Sequence, residues 1–364
     1  MLGIACLRGR LDWRLDAACS GWREADPFAF RIAAYVALEE GADLPAAAAA
    51  SGLARERLEA LASPAVWPSD PVDRLAREHS LPRWLAERWH RELGAGPAAA
   101  LASAINRPGP VVLRTNALKT DRDGLLRALA EEGIPAHATA LSPLGVQLEG
   151  RANLFGSQAW RRGLFEVQDE GSQAVALAVD ARPGERCIDF CAGAGGKSLA
   201  LAAAMRDQGE ILALDIDPGK LINLAARAHR AGATILRTRR TDPDRPLPDV
   251  GLADRVLVDA PCSSLGSIRR SPDLRWRLRP EAIAEFSRTQ LEILRRAAGC
   301  VRAGGLLVYA TCTLTPEEND GVADSFAREH GGWRPEPLSG DGPLRLWPHL
   351  HGTDGFFACA WRRG

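Results

Sequence analysis

Lysine is almost missing from this chain. Of 46 basic residues only Lys119, Lys197 and Lys220 are lysines, and all the others are arginines. Net charge is missing too: the formal sum is zero, so no bulk field announces a polyanionic partner. No apolar run approaches the ~20 residues that cross a bilayer, so no membrane is expected. Leu2 to Leu7 give way to Arg8 and Arg10 without the apolar stretch of an export signal, and the expectation is a cytoplasmic protein. Eight cysteines in 364 residues do not make a disulfide scaffold. They include no Cys-x-x-Cys or His-x-Cys pair, so the usual zinc spacings are absent and no metal is expected. Cys187 and Cys191 stand four apart with no second ligand pair, and read as two small strand and loop residues.

What is present is arginine in clusters: Arg161-Arg162, Arg237 to Arg240, Arg269-Arg270, and Arg275, Arg277 and Arg279. Planar guanidinium groups suit phosphate forks and base stacking, although any one cluster is more often a solvated face. The length suits two or three domains. Residues 1–75 read as helical, with apolar positions at helical spacing from Phe28 to Leu38, and an Ala46 to Ala50 run stopped by Ser51-Gly52. Pro64, Pro68 and Pro71 mark an expected boundary. Residues 76–165 read as a small α/β unit, with strands at Val111 to Arg114, Val146 to Leu148 and Leu164 to Val167, and a helix from Leu125 to Glu132. From residue 166 strands and helices alternate, the mark of a doubly wound parallel sheet.

In that third part a loop, Cys191-Ala192-Gly193-Ala194-Gly195-Gly196-Lys197, joins a strand to a helix. Glycines allow a ligand to approach the backbone and leave amides free at the helix start. The next strand ends in Asp215, 22 positions after Gly193 (215 − 193), where an acid can accept from ribose hydroxyls. Together these point to a nucleoside cofactor. Gly196-Lys197-Ser198 also fits the end of a phosphate-binding loop, but Cys191 occupies its first glycine position. A nicotinamide dehydrogenase wants a further glycine where Ser198 stands. A non-catalytic α/β domain is the remaining alternative.

Two cysteines lie just past strand ends, in Asp259-Ala260-Pro261-Cys262-Ser263-Ser264 and Tyr309-Ala310-Thr311-Cys312-Thr313. A lone cysteine is by default a buried structural thiol; two on the ligand edge of one sheet are harder to dismiss. A thiolate adding to a cytosine ring beside carbon 5 makes that carbon nucleophilic towards a methyl donor. A carboxylate can hold a proton on the ring nitrogen, and a second thiol can assist release. These residue types do not by themselves decide which cysteine attacks.

The stretch Asp189 to Lys197 and the two cysteine motifs resemble the donor-binding loop and cysteine motifs of the RsmB/Nop/NSUN family of RNA 5-methylcytosine methyltransferases. The resemblance runs from about Pro82 to the end, over three quarters of the chain. It also includes Val167 to Ser172, Pro316-Glu317-Glu318-Asn319 and Asp354-Gly355-Phe356-Phe357. It implies a Rossmann-like class I methyltransferase domain over 166–364, preceded by a small RNA-binding α/β domain. It implies S-adenosylmethionine as cofactor, held by Cys191, Ala192, Gly193, Ala194, Gly195, Gly196, Lys197, Asp215, Asp242 and Asp259. It implies Cys312 as nucleophile, Cys262 as the aid to release, and Asp259 and Lys197 on the target base. DNA cytosine methyltransferases instead attack with the Pro-Cys cysteine, here Cys262. The chain departs from the family pattern at Ala192-Gly193-Ala194, where Ala-Ala-Pro is common, and at Thr241, where glycine is. Its helical segment is shorter than the NusB-like domain of bacterial relatives. Ribosomal RNA is the expected substrate, acted on by a monomer. Transfer RNA as substrate and a non-catalytic ribosome assembly factor are the alternatives. Arg269-Arg270 and Arg275, just after the first cysteine motif, are expected to meet RNA phosphates.

Overall fold

The structure, a computed structural model, describes residues 2–247 and 249–364. The chain forms two compact units, residues 1–108 with 268–280, and residues 109–267 with 281–364.

The first unit is helical. Asp26, Asp43 and Asp70 each accept backbone N–H bonds as N-caps of helices that carry proline in their first turn, Pro27–Leu38, Leu44–Ser51 and Pro71–Glu78. The apolar stripe read from Phe28 to Leu38 buries Phe30, Ala33 and Ala34 against Leu11, Leu15 and Trp22. The boundary expected at 75/76 falls inside the helix Pro71–Glu78. Leu75, Ala76, Leu85 and Trp89 are all buried, and Gly9 N–H donates to Ser80 Oγ at 2.7 Å, so the helical unit runs on to Pro108. Pro64 and Pro68 lie in the coil between two helices, and Pro71 opens the second of them.

The second unit holds two sheets. Strands β1 (Val112–Thr115), β2 (Ala136–Ala138), β3 (Gly145–Leu148) and β4 (Phe165–Val167) form an antiparallel sheet of order β2-β3-β1-β4. Leu113, Val146 and Phe165 bury one face of it against Leu125 and Leu129 of the helix Arg122–Glu131. The larger sheet comprises β5 (Arg186–Asp189), β6 (Glu210–Asp215), β7 (Leu236–Arg240), β8 (Ala253–Asp259), β9 (Val301–Thr311), β10 (Trp333–Glu336), β11 (Leu344–Leu346) and β12 (Phe356–Arg363). Its order is β10-β12-β9-β8-β5-β6-β7, with β11 also on β12. Pairs from β7 to β9 are parallel, and β12 runs antiparallel to β9.

Helices cover both faces, so the central strands read as unbroken apolar runs. Leu257, Val308 and Ala310 face one core with Leu199 and Leu201, and Val256, Val258 and Tyr309 face the other with Leu294 and Phe326. The chain winds from β5 to β6 and β7 on one side, then returns to β8 and β9 on the other. The strand order reverses between β5 and β8, and ligands of such sheets bind at the carboxyl ends of the strands beside that reversal. Among the described residues no helix is long and apolar enough to cross a membrane.

Candidate active site

The glycine-rich loop leaves β5 and enters the helix Gly196–Ala204. Gly193 (φ +54°) and Gly195 (φ +84°) both lie in the left-handed region. At Gly195 a Cβ would come within 2.4 Å of Leu224 Cγ, which is how closely the helix Pro218–Ala231 packs on the loop. At Gly193 a Cβ would meet nothing within 4 Å, so the loop is open there. Gly193 N–H donates to Asp215 Oδ2 at 2.8 Å and Asp217 N–H to Asp215 Oδ1 at 2.9 Å, which fixes that carboxylate at the tip of β6. Asp189, at the end of β5, is 1% exposed; Ser198 Oγ donates to its Oδ2 at 2.6 Å, while Oδ1 is buried with no hydrogen-bond partner. Burial pushes the Asp189 carboxyl up to about 7, against the Ser198 bond that lowers it. An unmatched buried acceptor, an open glycine and an acid at the second strand tip together fit a nucleoside donor carrying amino groups and ribose hydroxyls.

At the start of the helix that follows the loop, Lys197 Nζ lies 2.5 Å from Asp259 Oδ2 at the end of β8. Burial works against the ammonium, but Asp259 overrides it and holds the Lys197 amine above its ordinary value. The two cysteines meet beyond this pair. Cys262 Sγ lies 3.4 Å from Cys312 Sγ, and Ser264 Oγ stands 3.6 Å from Cys312 Sγ and 3.9 Å from Cys262 Sγ. Sulfur–sulfur hydrogen bonding to Cys262 lowers the Cys312 thiol, with Ser264 and the Lys197 charge acting the same way, and the same bond raises Cys262 well above the usual thiol range. The pair is therefore asymmetric in direction: the Cys312 thiol is lowered and the Cys262 thiol is raised.

One carboxylate holds the two cysteine loops together. Glu318 is wholly buried. It accepts Ser263 N–H at 2.8 Å, Ser263 O–H at 2.5 Å, Thr315 O–H at 2.7 Å and Gln290 Nε2–H at 2.9 Å. Ser263 Oγ also lies 2.6 Å from Thr313 Oγ1, so each residue that follows a cysteine is tied to its counterpart. Charge-assisted bonds of this kind rigidify a site. The Pro-Glu-Glu-Asn motif is legible as a motif, but the linking role of Glu318 is not, because its donors come from three separate segments. Sequence reasoning includes Asp189 and Ser264 in the motifs but gives neither a role; a buried acid closing a strand before a glycine loop is the available signal for the first.

The structure thus joins the glycine loop, Asp215, Lys197, Asp259, Cys262 and Cys312 along one sheet edge. Cys191 is partly buried against the sheet core. Asp242 makes none of these contacts; half-exposed after β7, its carboxylate accepts Asp244 N–H at 3.0 Å and meets Arg245 at 3.4 Å. Lys197 and Ser198, which suggest a phosphate loop in the sequence, both point to carboxylates. The expectation for Arg275 is overturned: it is fully buried in the helical unit, where Nη1 donates to Asn106 Oδ1 at 2.6 Å, and burial lowers its guanidinium to about 10. A side chain walled in by that core cannot meet a phosphate. Arg269 is buried, while Arg270, Arg277 and Arg279 are not. Among the described residues no cluster of metal-ligating side chains is found.

A family model described as 16S rRNA methyltransferase RsmB/F matches residues 176–362, and one described as the Methyltr_RsmF/B-like, ferredoxin-like domain matches residues 81–154. The chain belongs to the RsmB/F methyltransferase family. Its cofactor is S-adenosylmethionine. The probable ribosomal RNA small subunit methyltransferase B of Bacillus subtilis is 37% identical over 81% of this chain and 69% of its own length. The ribosomal RNA small subunit methyltransferase B of Thermus thermophilus is 35% identical over 78% of this chain and 65% of its own. The chain therefore spans about two thirds of these relatives. A solved structure, PH0851, superposes with a TM-score of 0.83 at 28% identity, covering 100% of this chain and 88% of its own. In RsmB/F terms, the ferredoxin-like match begins inside the helical unit and continues into the four-stranded sheet.

Proposed function

We propose that this chain methylates carbon 5 of a cytosine in ribosomal RNA, with Cys312 as the nucleophile. The observation that carries the reading is the cysteine pair: two sulfurs 3.4 Å apart beside Lys197 and Asp259, with Cys312 depressed and Cys262 raised. A thiolate is required for addition, and a neighbouring S–H that stabilises it is what a cytosine needs from the protein and what a ribose hydroxyl does not. The names of the two relatives support small-subunit ribosomal RNA as the substrate class.

In this reading the target base is swung out of its stack into the site. The Cys312 thiolate adds to the ring carbon next to carbon 5, and Asp259, held by Lys197 at one oxygen, keeps a proton on the ring nitrogen as charge develops. S-adenosylmethionine, when bound, supplies an electrophilic methyl group. The glycine loop, Asp189 and Asp215 hold and orient it, and Asp242, half-exposed beyond β7, completes that set. After transfer a water takes the carbon-5 proton as the carbon–sulfur bond breaks, the ring-nitrogen proton returns to Asp259, and Cys312 leaves as a thiolate stabilised by the Cys262 S–H. The small sheet contributes RNA binding. Bisulfite sequencing of total RNA with and without the gene tests the reading: one ribosomal cytosine is expected to lose its methyl group. Loss at a transfer RNA position instead, or at none, contradicts it.

A further inference from the structure

The donor loop is gripped from behind by two arginines. Arg227, on the helix Pro218–Ala231, donates from Nη1 to the Ala194 carbonyl at 2.5 Å. Arg114, on β1 of the small sheet, donates from Nη1 to the Gly196 carbonyl at 2.5 Å. The two carbonyls flank Gly195, a left-handed residue of the loop.

The small sheet supplies or steers both grips. Glu166 of β4, 2% exposed, accepts from Arg227 Nε at 3.1 Å and Nη2 at 2.9 Å, and also pairs with Arg230, whose guanidinium lies 3.5 Å over the Trp160 ring. Arg114 is itself 2% exposed, and its other acceptor is Gln168 Oε1 at 2.5 Å. A buried cation that hydrogen-bonds a peptide oxygen and an amide, offset only by the charge of its cross-strand neighbour Glu166, is an expensive way to hold a fold together.

A peptide group is planar, so fixing its oxygen fixes the direction of the N–H on the following residue. Holding the Ala194 oxygen aims the Gly195 N–H, which donates to Ala192 O at 2.9 Å and closes the loop. Holding the Gly196 oxygen aims the Lys197 N–H in the first helical turn, where amides have no helical partner. We propose that Arg114 and Arg227 are positioning residues for S-adenosylmethionine, through which the four-stranded sheet sets the shape of the donor loop and its affinity for the cofactor. This needs only the donor site, and holds whichever base is methylated.

The test is calorimetric titration of the full chain with S-adenosylmethionine and with S-adenosylhomocysteine. Arg227→Met and Arg114→Met are each expected to raise the donor Kd about tenfold, as the loss of one charge-assisted hydrogen bond does. Arg227→Lys, which keeps the charge, is expected to recover part of that loss. Glu166→Gln, which keeps the volume but loosens the clamp on Arg227, should weaken binding in the same direction. The KM for donor should rise while the KM for RNA stays within about twofold, and amides 193–198 should exchange faster with solvent; a merely structural defect would not single out either. Folded Met variants and a folded Glu166→Gln that bind donor as tightly as the parent overturn the proposal, and if the Met variants do not fold, Glu166→Gln decides alone. If the parent itself binds no donor, the cofactor assignment fails instead.

Discussion

Cys262 and Cys312 face each other across 3.4 Å, from loops that follow β8 and β9. That distance is far beyond the ~2.05 Å of a disulfide and suits a thiol donating to a thiolate. Glu318 fixes the spacing by bonding Ser263 on one loop and Thr315 on the other. The two sulfurs are therefore not equivalent, and in the proposed mechanism Cys312 attacks while Cys262 assists its release.

This asymmetry separates the phenotypes of the two alanine variants. Cys312→Ala should abolish methyl transfer, by at least about 10³-fold, as removal of a covalent nucleophile does. Cys262→Ala should still attack RNA but release it slowly, accumulating a denaturation-resistant protein–RNA complex on a gel. A Cys312→Ala enzyme with parental activity would contradict the account.

Thiol reactivity should follow pH in a defined direction. Hydrogen bonding from Cys262 lowers the Cys312 thiol, so its alkylation by iodoacetamide should rise with pH through a midpoint below the ordinary 9.0, with Cys262 reacting only above it. In Cys262→Ala the donor is gone and the Cys312 midpoint should move up. Mass spectrometry of the alkylated peptides from about pH 6 to about pH 10 reads both sites.

Asp189 should cost the fold stability at neutral pH. Its carboxyl is raised by burial to about 7 from 3.8. Below about pH 4 both folded and unfolded chains hold the proton and there is no cost. As pH rises from about 4 to about 7 the unfolded chain gives it up first, so this residue's contribution falls, by a few kcal/mol at most at ~1.36 kcal/mol per unit. Asp189→Asn should therefore be more stable than the parent at about pH 8, equal to it near pH 4, and weaker about tenfold in donor binding. Urea unfolding at both pH values, compared between the two proteins, measures the difference.

Glu318→Ala should destabilise the second unit by roughly 2–4 kcal/mol, because several buried donors lose their acceptor at once. The urea midpoint should fall, and Cys312 alkylation should lose its low-pH midpoint as the sulfurs separate. An unchanged midpoint on both measures would remove Glu318 from the account.

The central strands and both cysteine motifs are legible in the sequence because doubly buried strands write themselves as apolar runs and motifs are local. Other parts are not. β7 carries Arg237, Arg239 and Arg240, exposed on the sheet's edge, and reads as a charge cluster because edge strands carry charge that blocks further pairing. β2 is only three residues around His137, too short for a period to show. That the compact helical unit continues to Pro108 is not legible, because Ser80 and Trp89 reveal their packing only in three dimensions. Arg275 looks like a phosphate ligand because nothing in Leu274-Arg275-Trp276 says that the helical unit closes over it. The strand-end residues of the site are visible as motifs, but the groups that orient them, Glu318, Arg114 and Arg227, draw their partners from distant segments.

The most direct measurement uses an RNA substrate carrying 5-fluorocytidine at the target position, incubated with S-adenosylmethionine and the enzyme. Fluorine cannot leave carbon 5 as a proton does, so the attacking sulfur stays attached after methyl transfer. Peptide mapping of the trapped complex should place the RNA on Cys312. A bond to Cys262, or methylated product with no trapped complex, would contradict the account.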